Sequence, residues 1–365
     1  MLTTDYDLKV PLTHIPLLLP QLPTLKQLTP YLKRIDDNRI YTNFGPLVKE
    51  FEQRLARYFR IEPTQLVAMS NATLALEGAI QTRAKPNTIW DCPSWTFAAT
   101  PLSIKRAGMR VRFQDVGPDW RMKPSEEGFS ENIVDVLPFG DEANFGRFNL
   151  NIDSVVIDGA ASFSNLDSIG DQLPANVGLI VSFHATKILQ TGEGGVFISK
   201  DSEWVEKVRK WSAFGFGFDK QSNFDSTNAK MSEYAGAVGL ASLDQWPERR
   251  QNFLEITHQA KIISKKFNIQ VHPALEKGLI TPYWIVISEK VKAIEKVFED
   301  QGIETRKWWK NGCHKMPAFH REFIEFLPNT DYYVDNNLGL PFFVGLTDQQ
   351  FKRIENALET ALSMV

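Results

Sequence analysis

The sequence has little of what several classes of protein require. Its 365 residues include only two cysteines, Cys92 and Cys313, which are too few for a disulfide framework and give no zinc-ligand spacing. The formal net charge is only −3, so no basic surface draws the chain to nucleic acid or to an anionic membrane. Its most apolar early run, residues 15–19, ends at Pro20 and is far shorter than the roughly 20 residues that span a bilayer.

The beginning of the sequence also lacks a basic region followed by an apolar core, so we expect no signal peptide and a cytoplasmic protein. We likewise expect no membrane partner and no nucleic-acid partner. The histidines show no metal-ligand spacing, and we expect no metal site. These histidines are His14, His184, His258, His272, His314 and His320.

One stretch of the sequence places a lysine between two predicted core strands. Residues 177–181 form an apolar run that predicts a short buried strand, and residues 196–199 predict another. Lys187 lies between them, on an excursion that ends in the Gly-rich turn 192–195. A lysine in this place is either a solvated loop residue or a Schiff-base lysine that condenses with a carbonyl cofactor. The stretch alone leaves both interpretations open.

Strands alternate with helices along the first half of the chain, which predicts an α/β fold with a mainly parallel sheet. Ligands bind at the carboxyl ends of the strands in such sheets, where the turn after Met69, Trp95, Asp158 and Lys187 are all predicted to lie. The predicted strands are 66–69, 88–91, 111–113, 133–137 and 153–157, and the helices between or beside them include 47–59, 74–83 and 203–211.

The two ends of the chain follow other patterns. Five prolines within residues 1–30 predict an extended arm, followed by one or two helical turns at 31–37. From about residue 267 the pattern predicts a smaller α+β unit of short strands and helices, with a strand at 304–307 and a final helix at 348–364. We therefore predict an N-terminal arm with a first helix at 1–45, a large domain at 46–250 and a small domain at 251–365.

Seven ordered segments resemble the DegT/DnrJ/EryC1/StrS family of sugar aminotransferases, which depend on pyridoxal 5'-phosphate (PLP). The resemblance implies fold type I of the PLP-dependent aminotransferases, with a large domain built on a mixed, mainly parallel sheet and a smaller C-terminal α+β domain. The segments are 43–46 with 51–52, 70–76, 93–100, 158–160, 182–187 with 192–195, 228–233, and 340–341 with 346–348.

The resemblance implies roles for residues around the cofactor ring. Lys187 would bind the cofactor covalently and move protons between it and the substrate carbon. Asp158 would pair with the pyridine nitrogen and keep it protonated. Trp95 would cover one face of the ring and Ala160 would pack under the other. Taken alone, Asp158 reads as an aspartate at a strand end and Trp95 as a core aromatic residue.

The resemblance also implies a phosphate site and a second subunit. Ala72, Thr73 and Ser182 would hold the cofactor phosphate at the start of a helix, although an ordinary helix N-cap is the alternative. Asn228 would reach the phosphate in the neighbouring subunit, which makes a homodimer the functional unit. An ordinary loop asparagine is the alternative there.

The family resemblance predicts transamination of a nucleotide-linked keto-deoxysugar with glutamate as donor. The expected substrate carries dTDP, and the expected product is dTDP-4-amino-4,6-dideoxyglucose, as in lipopolysaccharide O-antigen biosynthesis. We expect Trp308, Trp309, His314 and the loop 214–218 to shape the substrate pocket. A dinucleotide-binding oxidoreductase is disfavoured because no Gly-x-Gly-x-x-Gly turn follows the first strand.

Two positions depart from the family pattern. Ala161 stands where the family has glutamine or histidine, which keeps two alternatives open. These are a non-catalytic regulator or scaffold with a PLP fold, and a PLP enzyme for another keto substrate. The segment 139–152 is short and rich in Asn, Gly and Asp, so we expect a reduced loop there.

Overall fold

The computed structural model describes residues 14–124, 130–148, 154–218 and 220–364. Two sheets organise these residues. The strands are β1 Leu66–Met69, β2 Ile89–Pro93, β3 Arg110–Gln114, β4 Asn132–Val136, β5 Ser154–Asp158, β6 Val177–Ser182, β7 Gly195–Ile198, β8 Gln270–Val271, β9 Trp284–Ile287, β10 Phe323–Ile324 and β11 Asn337–Leu340.

The large sheet has the strand order β1-β7-β6-β5-β4-β2-β3-β10 within the described residues. Strand β7 runs antiparallel to both β1 and β6, and the remaining pairings of this sheet are parallel. The sheet is therefore mixed and mainly parallel, and the predicted α/β fold class is confirmed. Because β1, β6 and β5 run in one direction, their carboxyl ends meet at one edge.

Helices cover both faces of the large sheet. They begin and end near the predicted residues where local capping is strong, as at Asn71 and Thr347, whose side chains accept the first free amides of their helices. The helices are α1 Leu25–Asn38, α2 Pro46–Phe59, α3 Ala72–Gln81, α4 Ala99–Arg106, α5 Ser202–Trp211, α6 Glu233–Asp244, α7 Trp246–Lys266, α8 Pro273–Lys277, α9 Val291–Asp300, α10 Pro328–Asn336 and α11 Asp348–Ser363.

The strand side chains alternate between two cores, as the two-residue period of a strand requires. Val155 and Ile157 of β5 belong to the core under α2, α6 and α7, whereas Val156 belongs to the core under α3, α4 and α5. Since both faces are buried, β5 reads in the sequence as a continuous apolar run rather than an alternating one.

The small sheet has the order β11-β9-β8, is antiparallel, and packs against α7 and α9, and α11 packs against α9. The strand predicted at 304–307 is wrong. Two isolated bridges lie in this region, one between Ile303 and Ile15 and one between Arg306 and Gly339. Because the two bridges have different partners, residues 304–307 do not form a continuous strand. The strand that completes the sheet is β11, which the sequence analysis missed.

Helix α1 also differs from the prediction, because it begins at Leu25 and passes through Pro30. Thr24 and Gln27 form a capping box at its start, and the Tyr31 hydroxyl donates to Asp244 at the end of α6 over 2.6 Å. These contacts outweigh the backbone hydrogen bond that Pro30 cannot make. The extended arm predicted for residues 1–30 is therefore wrong at residues 25–30, whereas residues 14–24 lie outside any helix and residues 1–13 lie outside the described residues.

The N-terminal segment 15–21, which we call the strap, lies along the C-terminal unit. Ile15 donates its amide to Gly302 over 2.9 Å, Leu17 accepts from the amide of Phe342 over 2.9 Å, and Gln21 donates to Val344. Helix α7 crosses the predicted boundary at residue 250, and β10 pairs with β3 of the large sheet. The division into three domains stays a prediction.

The described part of the predicted reduced loop, 139–148, contains two single turns of 3-10 helix, and residues 149–152 lie outside the described residues. Across residues 14–124, 130–148, 154–218 and 220–364, every helix is too short or too polar to traverse a bilayer.

Candidate active site

A cavity of about 730 Å³ opens at the carboxyl ends of β1, β5 and β6. This volume lies within the range of small-molecule sites, roughly 300–1,000 Å³. Most of the predicted site residues line it together, although they come from separate parts of the chain. The predicted residues on its wall are Ala72, Thr73, Asp158, Ala160, Ser182 and Lys187.

The start of α3 forms one end of the cavity. The side chain of Asn71 caps the helix by accepting from the amide of Leu74 over 2.8 Å. The amides of Ala72 and Thr73 precede the first residue with an intrahelical acceptor, so helix geometry points them out of the helix start. These amides and the positive end of the helix dipole suit a phosphate group.

Gly195 leaves the space that this cradle needs. It pairs with Met69 of β1 on one side and with Ser182 of β6 on the other. A Cβ at Gly195 would lie 2.5 Å from the amide nitrogen of Ala72 and 2.6 Å from its Cα. Any side chain here would collide with the backbone of the helix start, so the cradle requires glycine at this position.

Asp158 ends β5 with its carboxylate buried. Its Oδ2 accepts from the Thr100 hydroxyl over 2.7 Å, and its Oδ1 accepts from the amide of Ala160 over 3.1 Å. Burial raises the pKa of Asp158, against the lowering effects of these two hydrogen bonds and of the Lys187 charge. A buried carboxylate of this kind is stabilised by a cationic N–H partner, which a protonated pyridine nitrogen provides.

Lys187 lies on a tight loop, as the sequence predicts. The amide of Lys187 donates to His184 over 2.9 Å, and the amide of Ala185 donates to Gly192 over 2.8 Å. Gly192 has φ 83°, a backbone conformation that favours glycine. The Nζ of Lys187 donates to the hydroxyl of Tyr283 over 3.1 Å.

The ring of His184 is engaged within the same loop. Its Nδ1 lies 2.9 Å from the hydroxyl of Thr186, and its Nε2 lies 3.6 Å from Glu193. These contacts give His184 a structural role in holding the loop that carries Lys187.

The structure places Trp95 behind the cavity wall rather than on it. Trp95 is 1% exposed and stacks on Tyr333 with ring centroids 5.0 Å apart. Phe97, two residues later in the same motif, is 65% exposed and lines the cavity. In our interpretation the ring-covering role predicted for Trp95 therefore belongs to Phe97, which the sequence analysis missed.

Asn228 does not line this cavity. It is exposed, and its Oδ1 accepts from Nζ of Lys230 over 2.6 Å. Its predicted contact with a neighbouring subunit stays a prediction.

The C-terminal unit supplies the wall that faces Lys187. Tyr283, Arg306, Trp308 and Trp309 line the cavity there, and Ala161 lines it beside Asp158 without a polar side chain. The two tryptophans were predicted to shape the pocket, whereas no local motif in the sequence indicates Tyr283 or Arg306.

Two other residues or segments expected to shape the pocket lie elsewhere. The ring Nδ1 of His314 lies 2.6 Å from the Ser94 hydroxyl, and burial lowers the pKa of this histidine. The loop 214–218 is absent from the cavity wall in the described part of the chain. In that part, no group of three His, Cys, Asp or Glu side chains is placed to hold a metal ion.

These observations fit PLP. The helix start and Gly195 offer a cradle for its phosphate, Asp158 offers a partner for its ring nitrogen, and Lys187 offers an amine for its aldehyde. All of these groups line or border one cavity, so the described residues can accommodate the cofactor that the sequence resemblance implies.

Comparison with known proteins agrees with this geometry. The profile of the DegT/DnrJ/EryC1/StrS aminotransferase family matches residues 25–129 and 170–359. The chain is 30% identical over 238 residues to a dTDP-4-amino-4,6-dideoxy-D-glucose transaminase of Shigella dysenteriae, a match that covers 62% of this chain and 63% of that protein. The match thus spans less than two thirds of the Shigella protein's own length.

Two further comparisons extend over nearly the whole chain. It is 31% identical over 378 residues to Protein Rv3402c of Mycobacterium tuberculosis, covering 95% of this chain and 90% of that protein. The solved structure of DesI in the presence of its TDP-sugar product superposes with a TM-score of 0.81 at 25% identity, covering 95% of this chain and 93% of that one. The stretch 130–169, which contains Asp158, lies outside the family match, so its assignment rests on geometry and on the sequence motif.

Proposed function

The chain belongs to the DegT/DnrJ/EryC1/StrS aminotransferase family, and from this premise we propose that it aminates a nucleotide-linked keto-deoxysugar with glutamate as the amino donor. The chain is a PLP-dependent transaminase, as its family and fold neighbours are. The observation that carries the site assignment is the meeting of Lys187, Asp158 and the glycine-lined helix start in one cavity.

The proposed roles follow from what each group can do. When bound, PLP would supply an electron sink for the reacting carbon and would carry the amino group between the two substrates. Asp158 would hold the ring nitrogen and keep its proton. Lys187 would hold the cofactor and then carry a proton to and from the reacting carbon through Nζ. The amides of Ala72 and Thr73 and the Ser182 hydroxyl would bind the phosphate.

The substrate end of the cavity supports a sugar nucleotide. Phe139, Trp308 and Trp309 form apolar walls that suit the methyl-bearing face of a deoxysugar. Arg306 lines the same cavity and offers a guanidinium group for an anionic diphosphate. We propose a dTDP-linked substrate and dTDP-4-amino-4,6-dideoxyglucose as product, which would serve lipopolysaccharide O-antigen biosynthesis.

We also propose a homodimer. The loop that precedes Asn228 exposes four phenylalanines, two of which, Phe214 and Phe216, have ring centroids 5.5 Å apart, and this exposure costs free energy unless a partner covers it. A second copy of the chain would cover this patch and bring Asn228 to the neighbouring phosphate. The exposed phenylalanines are Phe214, Phe216, Phe218 and Phe224. Sedimentation at several protein concentrations should show a dimer, and Phe218→Asp should weaken it; a monomeric wild type at micromolar concentration contradicts this proposal.

The function is tested with purified protein, PLP, glutamate and a panel of dTDP-linked keto-sugars. Mass spectrometry should detect an amino sugar and 2-oxoglutarate in equal amounts. If every sugar remains unreacted although the cofactor is bound, the substrate proposal is wrong.

A non-catalytic PLP-fold protein is the second candidate, and the lack of a polar side chain at Ala161 is the observation that favours it. Borohydride reduction followed by peptide mass spectrometry should find the cofactor on Lys187. The variant Lys187→Ala should lose this covalent capture. Capture in the wild type without turnover of any keto substrate favours the second candidate.

A further inference from the structure

Tyr283 is the residue of the C-terminal unit that touches the lysine amine. Its hydroxyl oxygen lies 3.1 Å from Nζ of Lys187, and its ring centroid lies 5.5 Å from the same nitrogen. The contact joins two residues that are 96 positions apart in sequence. Tyr283 is 5% exposed, so water has little access to its ring.

The structure holds Tyr283 in place from two directions. Its backbone amide donates to the Thr281 hydroxyl over 3.2 Å, and its carbonyl oxygen lies 2.9 Å from Nε2 of His272. Its ring contacts Phe139 edge-on with centroids 5.9 Å apart and Trp308 with centroids 4.6 Å apart. A side chain fixed at both backbone and ring loses little further freedom when it binds a partner.

The chemistry of a phenol suits a lysine that gains and loses a proton. A phenol oxygen accepts a hydrogen bond from an ammonium group, and the phenol O–H donates to a neutral amine. The same contact therefore persists in both protonation states of Lys187, and Tyr283 keeps its own proton while the lysine exchanges one with the substrate. We propose that Tyr283 is a positioning residue that holds the amine of Lys187 during turnover.

Other charged or titratable groups line the same cavity, and the charge of Lys187 acts on Asp158 at the end of β5. The others are His184 and Glu193 on the lysine's own loop, Arg306 of the C-terminal unit, Glu77 on α3 and Arg106 on α4. In the described part of the chain, the hydrogen bond of Nζ goes to Tyr283 rather than to any of these. Loss of the hydroxyl leaves the amine under their electrostatic influence and without its direct partner.

The test compares Tyr283→Phe with the matched control Tyr333→Phe. Both tyrosines are buried in the same aromatic cluster, but Tyr333 does not line the cavity. Visible absorbance of the bound cofactor is titrated against pH for the wild type and both variants, without substrate. We expect Tyr283→Phe to move the midpoint by about half a pH unit or more, whereas Tyr333→Phe leaves it in place.

Kinetics supply a second readout. The variant Tyr283→Phe should lower kcat about tenfold, as expected for the loss of one hydrogen bond to a charged group, and should change KM for glutamate by less than about threefold. Circular dichroism should show unchanged helix content, because the substitution removes one buried atom. An unchanged midpoint together with a kcat within about twofold of wild type would overturn the proposal.

This inference rests on the proposed role of Lys187, and one further variant separates the two. If Lys187→Ala keeps the covalent cofactor signal, the proposed function fails. If Lys187→Ala loses that signal while Tyr283→Phe behaves as the wild type, only the role of Tyr283 fails.

Discussion

The buried histidine behind the active site predicts a specific acid sensitivity. His272 is fully buried, and its Nε2 lies 2.9 Å from the carbonyl oxygen of Tyr283. Burial lowers the pKa of His272 from 6.5 to about 4. Between these two values the unfolded chain binds a proton and the folded chain does not. The stability that His272 contributes is therefore present above pH 6.5 and is lost as pH falls toward 4.

The size of the effect follows from the two pKa values. One unit of pKa difference corresponds to about 1.4 kcal/mol, and the partial titration between pH 7 and pH 5 amounts to about 2 kcal/mol. The variant His272→Gln removes this dependence, although it also costs stability at pH 7 because the buried contacts change. The free-energy gap between wild type and variant should therefore shrink by about 2 kcal/mol between pH 7 and pH 5.

Urea denaturation at fixed protein and PLP concentrations measures this gap. The exposed His258 on α7 provides the control, since His258→Gln makes the same exchange of side chains at the surface and leaves the buried contacts of His272 intact. Burial raises the pKa of Glu52 and of Asp158, which acts in the opposite direction, but both residues are present in every protein compared. If the difference in unfolding free energy between wild type and His272→Gln stays constant within about 0.5 kcal/mol from pH 7 to pH 5, His272 is not the source of the acid sensitivity.

Three further predictions concern the cavity. Gly195→Ala should lower cofactor affinity at least tenfold and the free energy of unfolding by about 1–3 kcal/mol, because the added Cβ must displace the start of α3. Unchanged cofactor binding in equilibrium dialysis contradicts the proposed phosphate cradle. Phe97→Ala should weaken cofactor binding roughly tenfold, whereas Trp95→Phe should not. If Trp95→Phe instead causes the larger loss of affinity, Trp95 covers the cofactor ring. Arg306→Gln should raise KM for the nucleotide sugar about tenfold with little change in kcat, and an effect confined to glutamate contradicts the diphosphate role.

Much of the fold was predictable because its signals are local. The apolar run of β6, the Gly-rich turn before β7 and the cap at Asn71 each act within a few residues, and the structure has these elements within one or two residues of prediction. Helix α1 was not predictable in the same way. Its stability depends on contacts with α6, and the composition of the segment gave more weight to Pro30.

The same distinction between local signals and tertiary contacts applies to the residues of the site. Lys187 and Asp158 follow core strands in the sequence, so their meeting at one sheet edge follows from topology. The motif at 93–100 indicates a loop that contains both Trp95 and Phe97. The packing of Trp95 against Tyr333 decides which of the two rings faces the cavity, and the sequence does not show this packing. Tyr283 meets Lys187 only when the C-terminal unit packs against the large sheet, so no sequence pattern near Lys187 could have indicated the contact.

The strap has a consequence for how the protein is made. Leu18 lines the cavity from the strap, while the strap itself is anchored on residues 302, 342 and 344. During synthesis the ribosome delivers the strap well before its anchors, since Gln21 and Val344 lie 323 positions apart. The complete cofactor cavity therefore cannot assemble on the nascent chain until residues 302–344 have emerged, and stable cofactor capture is expected only after that point.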